Sequence, residues 1–218
     1  MNTDKELILS AEELYYLGTL MKAEVIDYAY IAAMKDVGDK YEVFLSTTKD
    51  SLSKKGLLIE DFSGELEVDE SAKAILKPVF FGKDEGALDV CYMIDGNERD
   101  TSSMHFHYYD DKITLVDVTK DKMVIKAVSE EDINDTIKKL GPEKDVEEVV
   151  EVTENELDYK QANKVLAVKR TTFAEVSINV IYVECNGIMY KELDDDNEIV
   201  SMTRADFEEE VYRILREV

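Results

Sequence analysis

His105 and His107 stand two residues apart in the stretch Ser103-Met104-His105-Phe106-His107-Tyr108. On a strand this spacing puts both rings on one face, the way strands commonly present paired metal ligands. A metal site also needs a third and fourth ligand, and no further histidine or cysteine cluster supplies them. The expectation is therefore no metal and no cofactor, with two imidazoles seated on the half-polar face of a sheet. Cys91 and Cys185 lie far apart, show no metal-type spacing and read as reduced thiols. Asp194, Asp195 and Asp196 could attract a divalent cation, but the alternating oxygen ligands, glycine and distal glutamate of an EF-hand loop are missing, so a solvated turn is expected. The chain has no Gly-rich loop followed by Lys and Ser/Thr, no nucleophile elbow, no zincin helix and no dinucleotide fingerprint. No catalytic residue is assigned, and the reading is a non-enzymatic protein.

Charge narrows the choice of partner. The 218 residues carry 50 acidic side chains against 26 basic ones, a formal net charge of -24, spread over both halves. Phosphates need Lys and Arg to replace their counterions, so nucleic acid is excluded as a main partner, and an anionic membrane surface with it. Hydrophobic residues make up 44% of the chain, enough for a packed core without disulfide or metal. No apolar run approaches the roughly 20 residues that span a bilayer, and the first residues lack the basic and apolar regions of a secretory leader. The expected location is the cytoplasm. Oligomeric state stays open.

Four segments carry helix signals. Ser10 with Glu13 forms a capping box ahead of Leu14, Leu17 and Met21. A second helix is expected over 39–55, with Tyr41, Phe44, Leu45, Thr48 and Leu52 near one face and Gly56 as a left-handed cap. Ser129 opens a third, with Ile133, Ile137 and Leu140 inward and Gly141-Pro142 as its stop. Thr203 opens the last, where Phe207, Val211, Ile214, Leu215 and Val218 repeat at close to helical spacing. Shorter helical pieces are expected at 24–35, at 70–77 before Pro78, and within 154–166.

Strands fill the gaps, at 57–59, 65–68, 87–94, 104–109, 113–118, 123–128, 173–184, 188–192 and 198–202. Sequential hairpins imply an α+β fold, a mainly antiparallel sheet with helices packed on one face and at the ends. The order helix, helix, hairpin in the N-terminal part is winged-helix-like. Lys40, Lys49, Lys54 and Lys55 would be its basic contacts, but Asp39, Glu42 and Asp50 nearly cancel them. The chain reads as a single α+β domain over 1–218, with a division into two α/β halves at about 1–110 and 111–218 left open. The acidic stretch 141–156 is the best candidate linker.

The order of elements brings a resemblance. Ser10 to Gly18 opens a helix, a second helix closes on Lys54-Lys55-Gly56-Leu57-Leu58, and a hairpin and the helix at 70–77 follow. Near the end, Val180 to Tyr190 forms a long hairpin, followed by the closing amphipathic helix. Over roughly 10–80 and 173–218 this arrangement resembles the EspG-like secretion chaperones of type VII secretion systems, including the EsaE-like members of Gram-positive bacteria. The resemblance implies an acidic cytosolic chaperone that grips a helical-hairpin substrate near its tip and delivers it to the secretion machine. It implies no catalytic residue.

In that family the contact comes partly from a loop between central strands and partly from the C-terminal helical region. The nearest counterpart here is the turn Asp95-Gly96-Asn97-Glu98-Arg99-Asp100, with Arg99 its basic residue. Asp95, Asn97, Glu98, Arg99 and Asp100 are accordingly the candidate partner-binding residues, against the plainer reading of a hairpin connection. The competing function is an acidic immunity or antitoxin protein whose charge plugs the basic cleft of a cognate toxin.

Overall fold

The computed structural model describes residues 5–32, 34, 41–94, 97–119, 122–153, 157, 159–172, 175–193 and 198–216. The chain has two compact units interleaved in sequence, one of Met1–Gly82 with His107–Ala127, the other of Lys83–Phe106 with Val128–Val218. Each forms helices against antiparallel strands, and the α+β class is borne out.

In the first unit, strand β1 (Glu6–Leu9) leads into helix α1 (Ala11–Leu20) through the expected capping box. The Ser10 N–H donates to the Glu13 carboxylate at 2.9 Å while the Glu13 N–H donates to the Ser10 hydroxyl at 3.3 Å. Helices α2 (Tyr28–Ile31) and α3 (Tyr41–Lys54) follow. Gly56 takes the left-handed φ of 68°, and the Leu57 N–H returns to the Leu52 carbonyl at 3.0 Å. Strands β2 (Leu58–Glu60) and β3 (Leu66–Val68) pair as a hairpin of their own, so the expected helix–helix–hairpin order is present. Leu7, Leu9, Leu14, Leu17, Leu52, Leu57, Val68, Leu76 and Ile125 are among the buried side chains of its core.

Helix α4 (Glu70–Phe81) departs from the expected stop before Pro78, because the helix runs through it. A proline there cannot donate to the carbonyl one turn back and loosens that turn. One residue on from the Ala74 carbonyl that Pro78 leaves without a helical donor, the Ile75 carbonyl accepts from the buried Thr114 hydroxyl at 2.7 Å. The piece expected at 24–35 shrinks, among the described residues, to the single turn of α2.

The second unit holds the long strands β4 (Asp84–Ile94), β9 (Ala162–Thr172) and β10 (Glu175–Cys185), with β11 (Ile188–Glu192), β12 (Glu198–Met202) and the short β8 (Glu151–Thr153). Helices α5 (Glu130–Leu140) and α6 (Arg204–Arg216) cover one face with Ile133, Ile137, Phe207, Val211, Ile214 and Leu215 inward. The Tyr182 and Phe207 rings meet edge to face at 5.3 Å. Strand β5 (Asn97–Tyr109) belongs to both units, and β6 (Lys112–Val118) and β7 (Met123–Val128) continue from it. Within the first unit the ladder runs β1-β7-β6, and within the second β5-β4-β9-β10-β11-β12-β8.

Strand β9 corrects the helix expected within 154–166, of which only the 3-10 turn Tyr159–Gln161 is helical among the described residues. Its buried face reads Ala162, Lys164, Leu166, Val168, Arg170. Two cations on the inward side erase the apolar alternation that would have marked a strand. The stretch 141–156 is not a linker between the units. It lies within the second, where the Lys144 N–H donates to the Gly187 carbonyl at 2.8 Å, the Arg204 N–H to Asp145 at 2.8 Å, and β8 pairs with β12. Asp194, Asp195 and Asp196 lie outside the described residues.

Candidate functional site

Strand β4 shows how the β4–β5 hairpin is mounted. Gly86, Leu88 and Val90 are buried on the helix-covered side, while Glu85, Asp89 and Cys91 alternate onto the other. Gly86 has no side chain to spare there, since a Cβ would come within 2.9 Å of the Leu215 side chain and 3.0 Å of its carbonyl oxygen. The buried Arg170 guanidinium donates to the same Leu215 carbonyl at 2.5 Å, which ties the end of α6 to the strands. Further along the row the cover ends, and Tyr92 and Ile94 are 41% and 48% exposed.

On the opposite face a polar chain links three strands. The His105 Nδ1 meets the Glu85 carboxylate, its Nε2 lies 2.9 Å from the Ser103 hydroxyl, and that hydroxyl donates to Asp89. Lys169 closes the chain with its ammonium 2.6 Å from the second Asp89 oxygen. Burial raises the Asp89 carboxyl, but the hydrogen bonds from Lys169 and Ser103, with the Lys169 charge, outweigh it and leave the group below the ordinary carboxylate range. The geometry is that of struts holding β4, β5 and β9 in place.

His107 has a separate set of contacts. It is buried in the first unit, where the Tyr30 hydroxyl lies 2.6 Å from Nε2 and the two rings meet at 5.7 Å. Strand alternation thus places both histidines as expected, but each is bound to protein groups of its own. Among the described residues no three His, Cys, Asp or Glu side chains converge as a metal group. Burial and the Glu98 charge push the Cys91 thiol up, which keeps it protonated at neutral pH.

The candidate partner-binding residues sit at the end of this hairpin. Asn97, Glu98, Arg99 and Asp100 are exposed, and Asp95 lies outside the described residues. They differ from the expected loop in one respect, for β5 begins at Asn97 and carries all four as strand residues. Hairpin ends that meet no core can be polar on both sides, so the composition reads as a loop while the backbone is paired. Sequence reading missed the polar chain behind them. Glu85 and Asp89 interrupting an apolar strand were its signal, but Lys169 stands on the unrecognised β9. The C-terminal helix α6 keeps its apolar face inward and its Tyr212 hydroxyl donates to Glu130 of α5 at 3.1 Å.

No protein-family description matches the chain, and no curated protein matches it in sequence. In fold it is similar to the Mycobacterium tuberculosis type VII secretion system chaperone EspG5, solved in complex with the PE25–PPE41 dimer, with a TM-score of 0.61 at 9% identity, over 98% of this chain and 95% of that one. The chain has an EspG-like α+β fold. No helix among the described residues is long and apolar enough to cross a membrane.

Proposed function

We propose that this chain is a non-enzymatic, cytoplasmic chaperone or adaptor that binds helical substrate proteins of a type VII secretion system. The observation that carries the reading is the extent of the likeness to EspG5, which runs over nearly the whole of both chains. Two features of the β4–β5 hairpin support it. The β4–β5 hairpin offers exposed Tyr92 and Ile94 beside Glu98, Arg99 and Asp100, an apolar and polar mixture suited to a protein surface. The polar chain from Glu85 to Lys169 holds that hairpin rigid, which limits the ordering cost of binding.

The test is recovery of a natural partner from cells. Arg99→Glu combined with Asn97→Ala should weaken recovery of a helical secretion substrate while leaving the thermal melt nearly unchanged, since exposed substitutions usually alter stability by about 0.5 kcal/mol or less. Unchanged recovery would move the contact away from the hairpin, with α6 as the next surface to vary. The net charge of -24 favours a second reading, an acidic immunity or antitoxin protein. Neighbouring genes separate the two: a secretion ATPase with small helical substrates supports the chaperone, an adjacent toxin supports immunity.

A further inference from the structure

Phe62, at the end of the β2–β3 hairpin, is the most exposed large hydrophobic side chain among the described residues, and Ile59 of the same hairpin is 51% exposed. A single exposed apolar residue is ordinary on a protein surface. What sets this one apart is how it is held. At the base, Leu57 and Val68 are buried in the core of the first unit, and the Asp69 N–H donates to the Leu57 carbonyl at 2.9 Å.

The turn itself is locked. One oxygen of Asp61 accepts from the Ser63 N–H at 2.8 Å, the Ser63 hydroxyl at 2.7 Å and the Glu65 N–H at 2.9 Å. The Asp61 N–H donates back to the Glu65 carbonyl at 2.9 Å, and Gly64 takes a φ of 84° that a side chain would strain. The backbone that carries Phe62 is fixed in this way, so binding has only the side-chain torsions of the ring left to order.

Its surroundings select the partner. Glu60, Asp61 and Glu65 are exposed around the ring, Glu67 is shared with Lys73 at 3.6 Å, and no Lys or Arg occurs between 58 and 68. That charge is repelled by anionic lipid and by the same hairpin of a second copy. We propose that the β2–β3 hairpin is a docking knob, whose Phe62 enters an apolar pocket of a partner protein rimmed by Lys or Arg that pair with Glu60, Asp61 and Glu65. The surface uses none of the β4–β5 residues assigned above, so either can fail alone.

The experiment places the photo-reactive residue p-benzoylphenylalanine at position 62 of the full chain in its native cells and maps the cross-linked peptide. The purified pair is then titrated. The proposal expects a cross-link inside an apolar patch flanked by Lys or Arg. It also expects affinity to fall about tenfold or more for Phe62→Ser, the loss typical of an interface anchor. Glu60→Lys with Glu65→Lys should weaken the complex and flatten its salt dependence. Phe62 buries nothing in the free chain, so an unchanged melt separates lost docking from lost folding. A cross-link to a second copy with a dimer in sedimentation, co-flotation with phosphatidylcholine vesicles, an absence of cross-link, or an unchanged affinity of Phe62→Ser each overturns it. Arg99→Glu with Asn97→Ala, run on the same pair, reports on the β4–β5 hairpin separately.

Discussion

Lys164 and Glu184 face each other directly across β9 and β10 on the helix-covered side, with nitrogen and oxygen 2.7 Å apart and both side chains buried. The Lys164 ammonium also donates to the Gly141 carbonyl at 3.2 Å. Removing one partner leaves the other charged and out of water, so Glu184→Gln or Lys164→Met should each cost about 3–5 kcal/mol in chemical denaturation. The double change Lys164→Met with Glu184→Leu should recover most of that loss, because the desolvation of both ions is then avoided. Asp69 gives a pH-dependent case. The Ser71 hydroxyl and Lys5 hold its carboxyl down to about 2, against an ordinary 3.8. A carboxyl depressed on folding stabilises the protein above its unfolded value and loses that contribution as pH falls towards the folded one. The melting temperatures of the wild type and Asp69→Asn should therefore differ at pH 7 and converge as pH is lowered below about 4.

At the scale of elements, the helix layer of the second unit depends on close approach at one point of β4. Gly86 lies against the backbone and side chain of Leu215, and Arg170 holds the same carbonyl. Gly86→Ala would push the end of α6 outward and should destabilise by about 1–3 kcal/mol, the usual cost of an inserted methyl group. A stability unchanged within error would show that α6 shifts freely at this end. In the first unit, Thr114→Val removes the hydroxyl that donates to the Ile75 carbonyl, a change expected to cost about 0.5–1.5 kcal/mol in chemical denaturation, the usual net worth of one hydrogen bond.

The whole molecule is governed by its net charge of -24. Self-repulsion opposes the compact state and is screened by salt, so the melting temperature should rise as sodium chloride is increased from near zero through physiological strength. The same field should keep duplex DNA binding negligible near physiological salt. Lys55 adds a local reason, since its ammonium is held by Glu13 at 2.6 Å and the Ile8 carbonyl at 2.8 Å, away from any phosphate. A specific duplex complex of submicromolar affinity would overturn this.

What the amino-acid sequence determined by itself was local. The capping boxes at Ser10 and Ser129, the left-handed Gly56, the meander from β6 to β7 and the inward row of α6 follow from spacing and backbone preference over a few residues. They were enough for the α+β class. Tertiary structure decided where polar residues go, because that depends on partners distant in the chain. Lys164 and Arg170 could occupy the inner face of β9 only because Glu184, Gly141 and Leu215 meet them there. Helix α4 passes through Pro78, which is buried with Ala72, Ile75, Leu76 and Phe80 of the same helix, a packing that spacing within the helix does not reveal. The same holds at the candidate site. Composition located its exposed residues Asn97, Glu98, Arg99 and Asp100, whereas the chain from Glu85 through His105, Ser103 and Asp89 to Lys169 exists only once three strands lie side by side. A side chain's local preference is written within a helical turn or a hairpin, but the desolvation of a charge is settled by whatever the fold brings against it.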